Sequence, residues 1–328
     1  MVYIGLDIGG TKCAVSLGQS TGEGKLDILD KVQFETGRRD PYAVLDEFLD
    51  ELNAMLRRHS LQAEDIESIG ISCGGPLNSR TGVVQSPPNL PGWDNIAVKA
   101  FFETATGIPT WLQNDANACA VAEWKFGAGA GCENMIFLTF GTGFGSGLIL
   151  NGQLYSGSTD NAGEIGHVRL TPDGPVGYRK SGSAEGWCSG GGLAQIGRMA
   201  VEQELAAGRS PLLLERAGGN ADNISAKLIA QLAKEENDPL CREIYRTCGE
   251  KLGASISILI DLIDPQRIII GGVFMRSADL LIDEMQRVID REALHGCEIV
   301  PAGLGENVGD YAALSIASLH PRERKTES

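Results

Sequence analysis

The chain opens on two short apolar runs, Val2 to Leu6 and Cys13 to Leu17, separated by Asp7-Ile8-Gly9-Gly10-Thr11-Lys12. Runs of this length joined by a Gly-Gly turn predict a β-hairpin. Leu26 to Phe34 predicts a third strand. From Pro41 to His59 the period becomes helical, with Val44, Leu45, Phe48, Leu49, Leu52, Met55 and Leu56 on one stripe. Ser68 to Ser72 reads as a buried strand ending in Cys73-Gly74-Gly75-Pro76, and Thr110 to Leu112 as another. An alanine-rich helix is predicted from Asn114 to about Phe126.

The scheme then repeats. Met135 to Leu150 predicts a second hairpin with Gly141-Thr142-Gly143-Phe144-Gly145 at its tip, and Val168 to Thr171 a further strand. Helices are expected near 191–207, 224–234 and 239–263, then a strand from Arg267 to Ile270 that closes in Gly271-Gly272-Val273-Phe274. A helix from Ala278 to Arg291, a short strand from Glu298 to Val300 and a last helix from Asp310 to Leu319 complete the pattern. The charged tail from Arg322 to Ser328 is expected to fray. Hairpins followed by strand–helix alternation imply mixed α/β layers.

Each hairpin tip carries unusual chemistry. The first combines a carboxylate, bare backbone N–H groups, a hydroxyl and an ammonium. Such a tip suits phosphate oxygens, with Asp7 placed for a water-coated Mg²⁺; a plain tight turn is the competing reading. Neither tip is a P-loop, and neither is a G-x-G-x-x-G turn between strand and helix. Two glycine hairpins from the two halves of a duplicated fold would grip a polyphosphate between them. That is the plan of the actin-like ATPase and sugar-kinase architecture, an α/β, ribonuclease H-like duplication with a cleft between two domains.

Charge narrows the partners. The 328 residues carry a formal net charge of −15 and a pI near 4.8. That disfavours nucleic acid and anionic membrane, which need clustered Lys and Arg. No apolar segment reaches the roughly 20 residues a membrane span requires. The chain starts on a strand, without a signal-like apolar stretch, so a cytoplasmic protein is expected. The eight cysteines are scattered without a C-x-x-C pair, which fits small buried hydrophobes in a reducing compartment.

With these residues in view the chain resembles the ROK family of bacterial sugar kinases over nearly its whole length. Asp7-Ile8-Gly9-Gly10-Thr11-Lys12 and Gly141-Thr142-Gly143-Phe144-Gly145 resemble the family's two phosphate loops. Ser86-Pro87-Pro88-Asn89-Leu90-Pro91-Gly92-Trp93 resembles its sugar-proximal loop, and Asn114-Asp115-Ala116-Asn117-Ala118 its catalytic segment. Ala162-Gly163-Glu164-Ile165-Gly166-His167 resembles its sugar signature, and Gly271-Gly272 its nucleotide-base loop.

The resemblance implies an ATP- and Mg²⁺-dependent kinase of a glucose-like hexose, acting at the 6-hydroxyl. Asp115 would be the general base; a helix N-cap is its structural alternative. Gly75, Asn89, Asn114, Glu164, His167 and Glu185 would bind the sugar. The alternatives are a turn-forming Asn89, a buried structural His167 and a solvated Glu185. Asp7, Gly9, Gly10, Thr11, Lys12, Gly141, Thr142, Gly143, Gly271 and Gly272 would bind the nucleotide, with Asp7 facing Mg²⁺ through water.

The domains implied are 1–114 with 306–328, and 115–305, hinged near Gln113–Ala116 and closing over the sugar. A homodimer is implied as well. N-acetylmannosamine, N-acetylglucosamine, fructose and allose stay open as substrates. A non-catalytic sugar sensor or regulator is the other class. Regulators of the family carry a helix-turn-helix before the first phosphate loop, for which the residues ahead of Asp7 leave no room.

One departure stands out. Many members carry a zinc motif of one histidine and three cysteines ahead of the later glutamate; here the cysteine positions hold Val176, Tyr178 and Ser183. His167 by itself cannot form a tetrahedral site, so no structural zinc is expected. The loop is instead expected to be held by packing through Tyr178 and Trp187.

Overall fold

The computed structural model describes residues 1–22 and 24–322; Glu23 and the end of the charged tail, 323–328, lie outside the described residues. The first sheet runs in the order Lys25–Glu35, Lys12–Gly22, Val2–Ile8, Ile66–Cys73, Thr110–Asn114. The first three strands are antiparallel neighbours, and the last two join in parallel. The strand Ile66–Cys73 is buried along its whole length, as expected of a parallel strand covered on both faces.

Alternation along these strands sorts the two faces. Ile4, Leu6, Ile69 and Ile71 pack with Val44, Leu45, Phe48 and Leu52 of the helix Pro41–Arg58. Between them, Gly5 and Gly70 stand opposite one another in register and meet the helix Val308–Leu319. The approach is close enough that a Cβ on Gly70 would lie 2.0 Å from the Ala313 carbonyl oxygen. The helix Asp115–Phe126 packs beside Val308–Leu319. Its alanines let it come near, and the Glu123 carboxylate ties it to the N–H groups of Ala128, Gly303 and Leu304.

The second sheet repeats the plan in the order Gln153–Leu154, Phe144–Leu150, Met135–Phe140, Arg267–Gly272, Glu298–Pro301. Again a hairpin precedes strands added in parallel. Helices Gly190–Ala206, Ala226–Glu235, Pro239–Ile263 and Val273–Glu292 accompany it.

The described chain divides into two units. One holds 1–133, 147–162 and the residues from Ala302 onward; the other holds 134–146 and 163–301. The helix after Asn114 falls within the unit that holds the first sheet. The reason is its packing on Val308–Leu319.

Three further differences have local causes. Val168 to Thr171 is not a strand: only Arg169 bridges, to Ser183, because the N–H groups of Leu170 and Thr171 both donate to the Gly182 carbonyl. The helix expected from Ala278 starts at Val273, directly after Gly272, with a break at Ser277. The helices Val98–Thr106, Ala184–Trp187 and Leu212–Arg216 escape sequence periodicity because each is shorter than about three turns. Six of the eight cysteines are buried. Among the described residues no helix is long and apolar enough to cross a membrane.

Candidate functional site

In the first unit the predicted residues gather at the carboxyl ends of the parallel strands. Asp7, Ser72 and Gln113 are register partners across three neighbouring strands, and Ile8, Cys73 and Asn114 form the next row. Ser72 hydrogen-bonds the Asp7 carboxylate. Asn114 is the N-cap of the following helix, its Oδ1 accepting the Ala116 N–H at 3.0 Å. The cap is thus Asn114, and Asp115 is the first helical residue. One Asp115 oxygen accepts the same N–H at 2.8 Å, and the residue is exposed.

The Asp115 charge disfavours ionisation of Asp7. Burial, then the Asp115 charge, push the Asp7 carboxyl up to about 7, while the Ser72 hydrogen bond pulls it down. Surrounding protein likewise raises Asp115 above the ordinary carboxylate range, opposed by the backbone N–H groups of Ala116 and Asp115. A divalent cation would relieve that strain, so the donor set fits Mg²⁺ beside Asp7.

Glycines bring the neighbouring loops in. A Cβ on Gly10 would lie 2.6 Å from the Asn89 carbonyl oxygen, and one on Gly74 would lie 3.3 Å from the Asn89 amide. A Cβ on Gly75 would meet the Asn114 amide at 3.2 Å. Gly10, Asn89, Gly75, Asn114 and Asp115 therefore share one region with Asp7. Gly9 and Gly10 present bare backbone, while Thr11 and Lys12 are exposed at the tip. Thr36 locks this turn from below: its hydroxyl donates to the Gly9 carbonyl at 2.6 Å and its N–H to the Thr11 carbonyl. Sequence reading missed Thr36; its place just past the third strand was the available signal.

In the second unit the turn Gly141–Gly143 is closed by the Gly141 N–H donating to the Gly143 carbonyl. The N–H groups of Gly190 and Gly191, at the start of the helix Gly190–Ala206, donate to the Gly141 and Thr142 carbonyls. Gly272 pairs in register with Phe140, and a Cβ there would lie 2.2 Å from the Phe140 carbonyl oxygen. Gly271 is the preceding partner, opposite Thr139. Glu185 accepts the Phe144 N–H at 3.2 Å, so it is not a solvated surface carboxylate.

The Glu164–His167 segment reaches the same place through Gly166, whose Cβ would lie 1.9 Å from the Phe144 carbonyl oxygen and 3.3 Å from the Glu185 Cβ. His167 is exposed, which removes the buried-histidine reading, and its ring meets Tyr178 edge-on at 5.9 Å.

The loop ahead of Glu185 does not fit zinc. Val176 and Tyr178 offer nothing suited to the metal, and Ser183 is spent elsewhere. Its hydroxyl caps the helix Ala184–Trp187 by accepting the Gly186 N–H at 3.2 Å. The loop is a two-strand hairpin, Val176–Gly177 with Lys180–Ser181, turning through Tyr178 and Arg179 in left-handed conformations. Gln195 clamps the Val176 N–H and carbonyl at 3.0 and 2.8 Å. Arg169 and Lys180 donate to the Ser181 and His167 carbonyls. Trp187 donates to Thr171 at 2.9 Å. Tyr178, expected to pack the loop, is 60% exposed and does not.

Comparisons with known proteins give the family and the fold. The model of the ROK family matches residues 3–319. A glucokinase from Streptomyces coelicolor is 32% identical over 320 residues, 96% of each chain. The crystal structure of a ROK family glucokinase from Streptomyces griseus, in complex with glucose and AMPPNP, is 30% identical with a TM-score of 0.76 and covers 98% of this chain and 99% of its own. A ROK family transcriptional regulator is 25% identical with a TM-score of 0.80, covering 97% of this chain and 78% of its own. The fold is the duplicated actin-like ATPase fold of the glucokinase structures.

Proposed function

The chain belongs to the ROK family, and from that premise we propose that it is a sugar kinase transferring the γ-phosphoryl group of ATP to the 6-hydroxyl of a glucose-like hexose. The observation that carries this reading is Asp115, an exposed residue with one carboxylate oxygen held by the Ala116 N–H. Its raised pKa makes it a stronger base near neutrality than a free aspartate.

Asp115 accepts the proton of the attacking hydroxyl, a role worth about a hundredfold or more in rate. Asn114, Gly75 and Asn89 bind and orient the sugar, and Glu164, His167 and Glu185 supply its remaining hydroxyl partners. The N–H groups of Gly9, Gly10, Gly141 and Gly143, with Thr11, Lys12 and Thr142, hold phosphate oxygens. Gly271 and Gly272 leave room for the nucleoside. Mg²⁺, when bound, supplies positive charge to the phosphates, and Asp7 holds it through water. The cytoplasmic location and the homodimer belong to the same reading.

A coupled ADP-release assay with Mg²⁺·ATP over a panel of hexoses and hexosamines tests the proposal and ranks glucose against N-acetylmannosamine, N-acetylglucosamine, fructose and allose. Asp115→Ala should abolish turnover and leave sugar binding nearly intact. Sugar binding without any turnover in the unaltered protein would favour a sensor or regulator.

A further inference from the structure

We propose that Gln113 is a positioning residue for Asp115, fixing the first helical turn to the strand end so that the carboxylate meets the sugar hydroxyl in one orientation. This rests on Asp115 being the general base.

Gln113 is buried. Its Oε1 accepts two donors from the segment that follows: the Asn114 N–H at 2.8 Å and the Asn117 Nδ2 at 3.1 Å. One amide oxygen therefore staples the last strand residue to the first helical turn, with Asp115 between the two contact points. Asn117 depends on it. Asn117 is buried, and its Oδ1 has no hydrogen-bond partner among the described residues. The Gln113 bond thus anchors its amide. Gln113 also adjoins Ser72 in register, and Ser72 holds Asp7. The staple lies at the end of the row that supports both acids.

Gln rather than Glu matters at this spot. Two donors need only one acceptor oxygen, which a carboxylate would also provide. A carboxylate would add a negative charge where that of Asp115 already opposes ionisation of Asp7. The groups facing that region are Asp7 on the first strand, Lys31 and Asp310 acting on Asp7 from the third strand and last helix, Glu123 further along the helix of Asp115, and the thiols of Cys13, Cys73 and Cys119. Burial keeps these thiols neutral. A neutral amide holds the turn without raising the base further.

The test compares Gln113→Ala and Gln113→Glu with the unaltered protein. Loss of the staple should lower kcat about tenfold or more in Gln113→Ala, as misplacement of a reacting group does. KM for sugar and ATP should stay within about twofold, because Gln113 is buried and its amide oxygen is taken by Asn114 and Asn117. Gln113→Glu should recover most of kcat at alkaline pH and move the acid limb of the kcat profile upward. Unchanged kcat in Gln113→Ala overturns the proposal. So does an equal loss in Gln113→Glu without a moved limb, which marks a merely structural role. Carbon-13 NMR titration of the Asp115 carboxyl reads the same coupling without turnover. An upward shift in Gln113→Glu is expected, and none counts against the staple even if no sugar is phosphorylated. Inactivity of the unaltered protein on every sugar would instead defeat the kinase reading.

Discussion

The Glu185 carboxylate accepts the Phe144 N–H at 3.2 Å, and Gly143 makes room for it: a Cβ there would lie 2.7 Å from the same oxygen. The second glycine turn and the residue expected on the sugar are thus one unit. A hydrogen bond to a charged group is worth about 1.5–3 kcal/mol. Glu185→Ala should therefore lower kcat/KM roughly tenfold to a hundredfold. Gly143→Ala, which keeps Glu185 in the chain but displaces its carboxylate, should do comparable damage. Steady-state kinetics with sugar and ATP varied in turn checks both; a silent Gly143→Ala would uncouple the pair.

Asp7 makes the first unit sensitive to pH. Its carboxyl titrates near 7 in the folded chain, against 3.8 ordinarily. The folded state therefore holds more protons than the unfolded state between those values. Stability from this group is full below about pH 4 and declines as pH rises through 7. Asp7→Asn should match the unaltered protein at pH 4 and be more stable at pH 8, by about 1–2 kcal/mol once solvent screening at this half-buried site is allowed for. Thermal unfolding at the two pH values measures it.

Purified protein should contain no stoichiometric zinc, and a strong chelator should leave its melting temperature unchanged. The hairpin before Glu185 relies on Gln195 and Ser183, so loss of the Ser183 cap in Ser183→Ala should cost about 1 kcal/mol. Bound zinc by elemental analysis, or melting that falls with chelator, would contradict this account.

Gly70→Ala should be far more damaging than a typical surface change. The new methyl would sit 2.0 Å from the Ala313 carbonyl oxygen and 2.5 Å from the Ala317 nitrogen, neither of which moves without shifting the last helix. A loss of about 3 kcal/mol or more is expected from such overpacking. Denaturant unfolding would show it, and a loss under about 1 kcal/mol would mean the helix yields easily.

The local pattern was legible wherever one period persisted. The stripe from Val44 to Leu56 predicted a helix whose apolar side is buried apart from the half-covered Leu49, and Pro239 to Ile263 was readable end to end. Val168 to Thr171 misled because three of its four residues, Val168, Leu170 and Thr171, are apolar or β-branched and resemble a strand, while a single carbonyl, that of Gly182, takes the N–H groups of Leu170 and Thr171. Tyr178 misled because its left-handed φ turns it outward at the hairpin tip.

What the sequence determined by itself was the repeated order of hairpin, strand and helix, and which residues carry chemistry, because both are written in side-chain type and short-range spacing. What only the tertiary structure decided was which of those residues meet. Asp7, Ser72 and Gln113 come together across strands far apart in sequence because parallel pairing sets their register. Asp115 sits with the first sheet because its helix packs on one from the far end of the chain. Hydrogen-bond register and interhelix packing depend on groups distant along the backbone, and no local period encodes them.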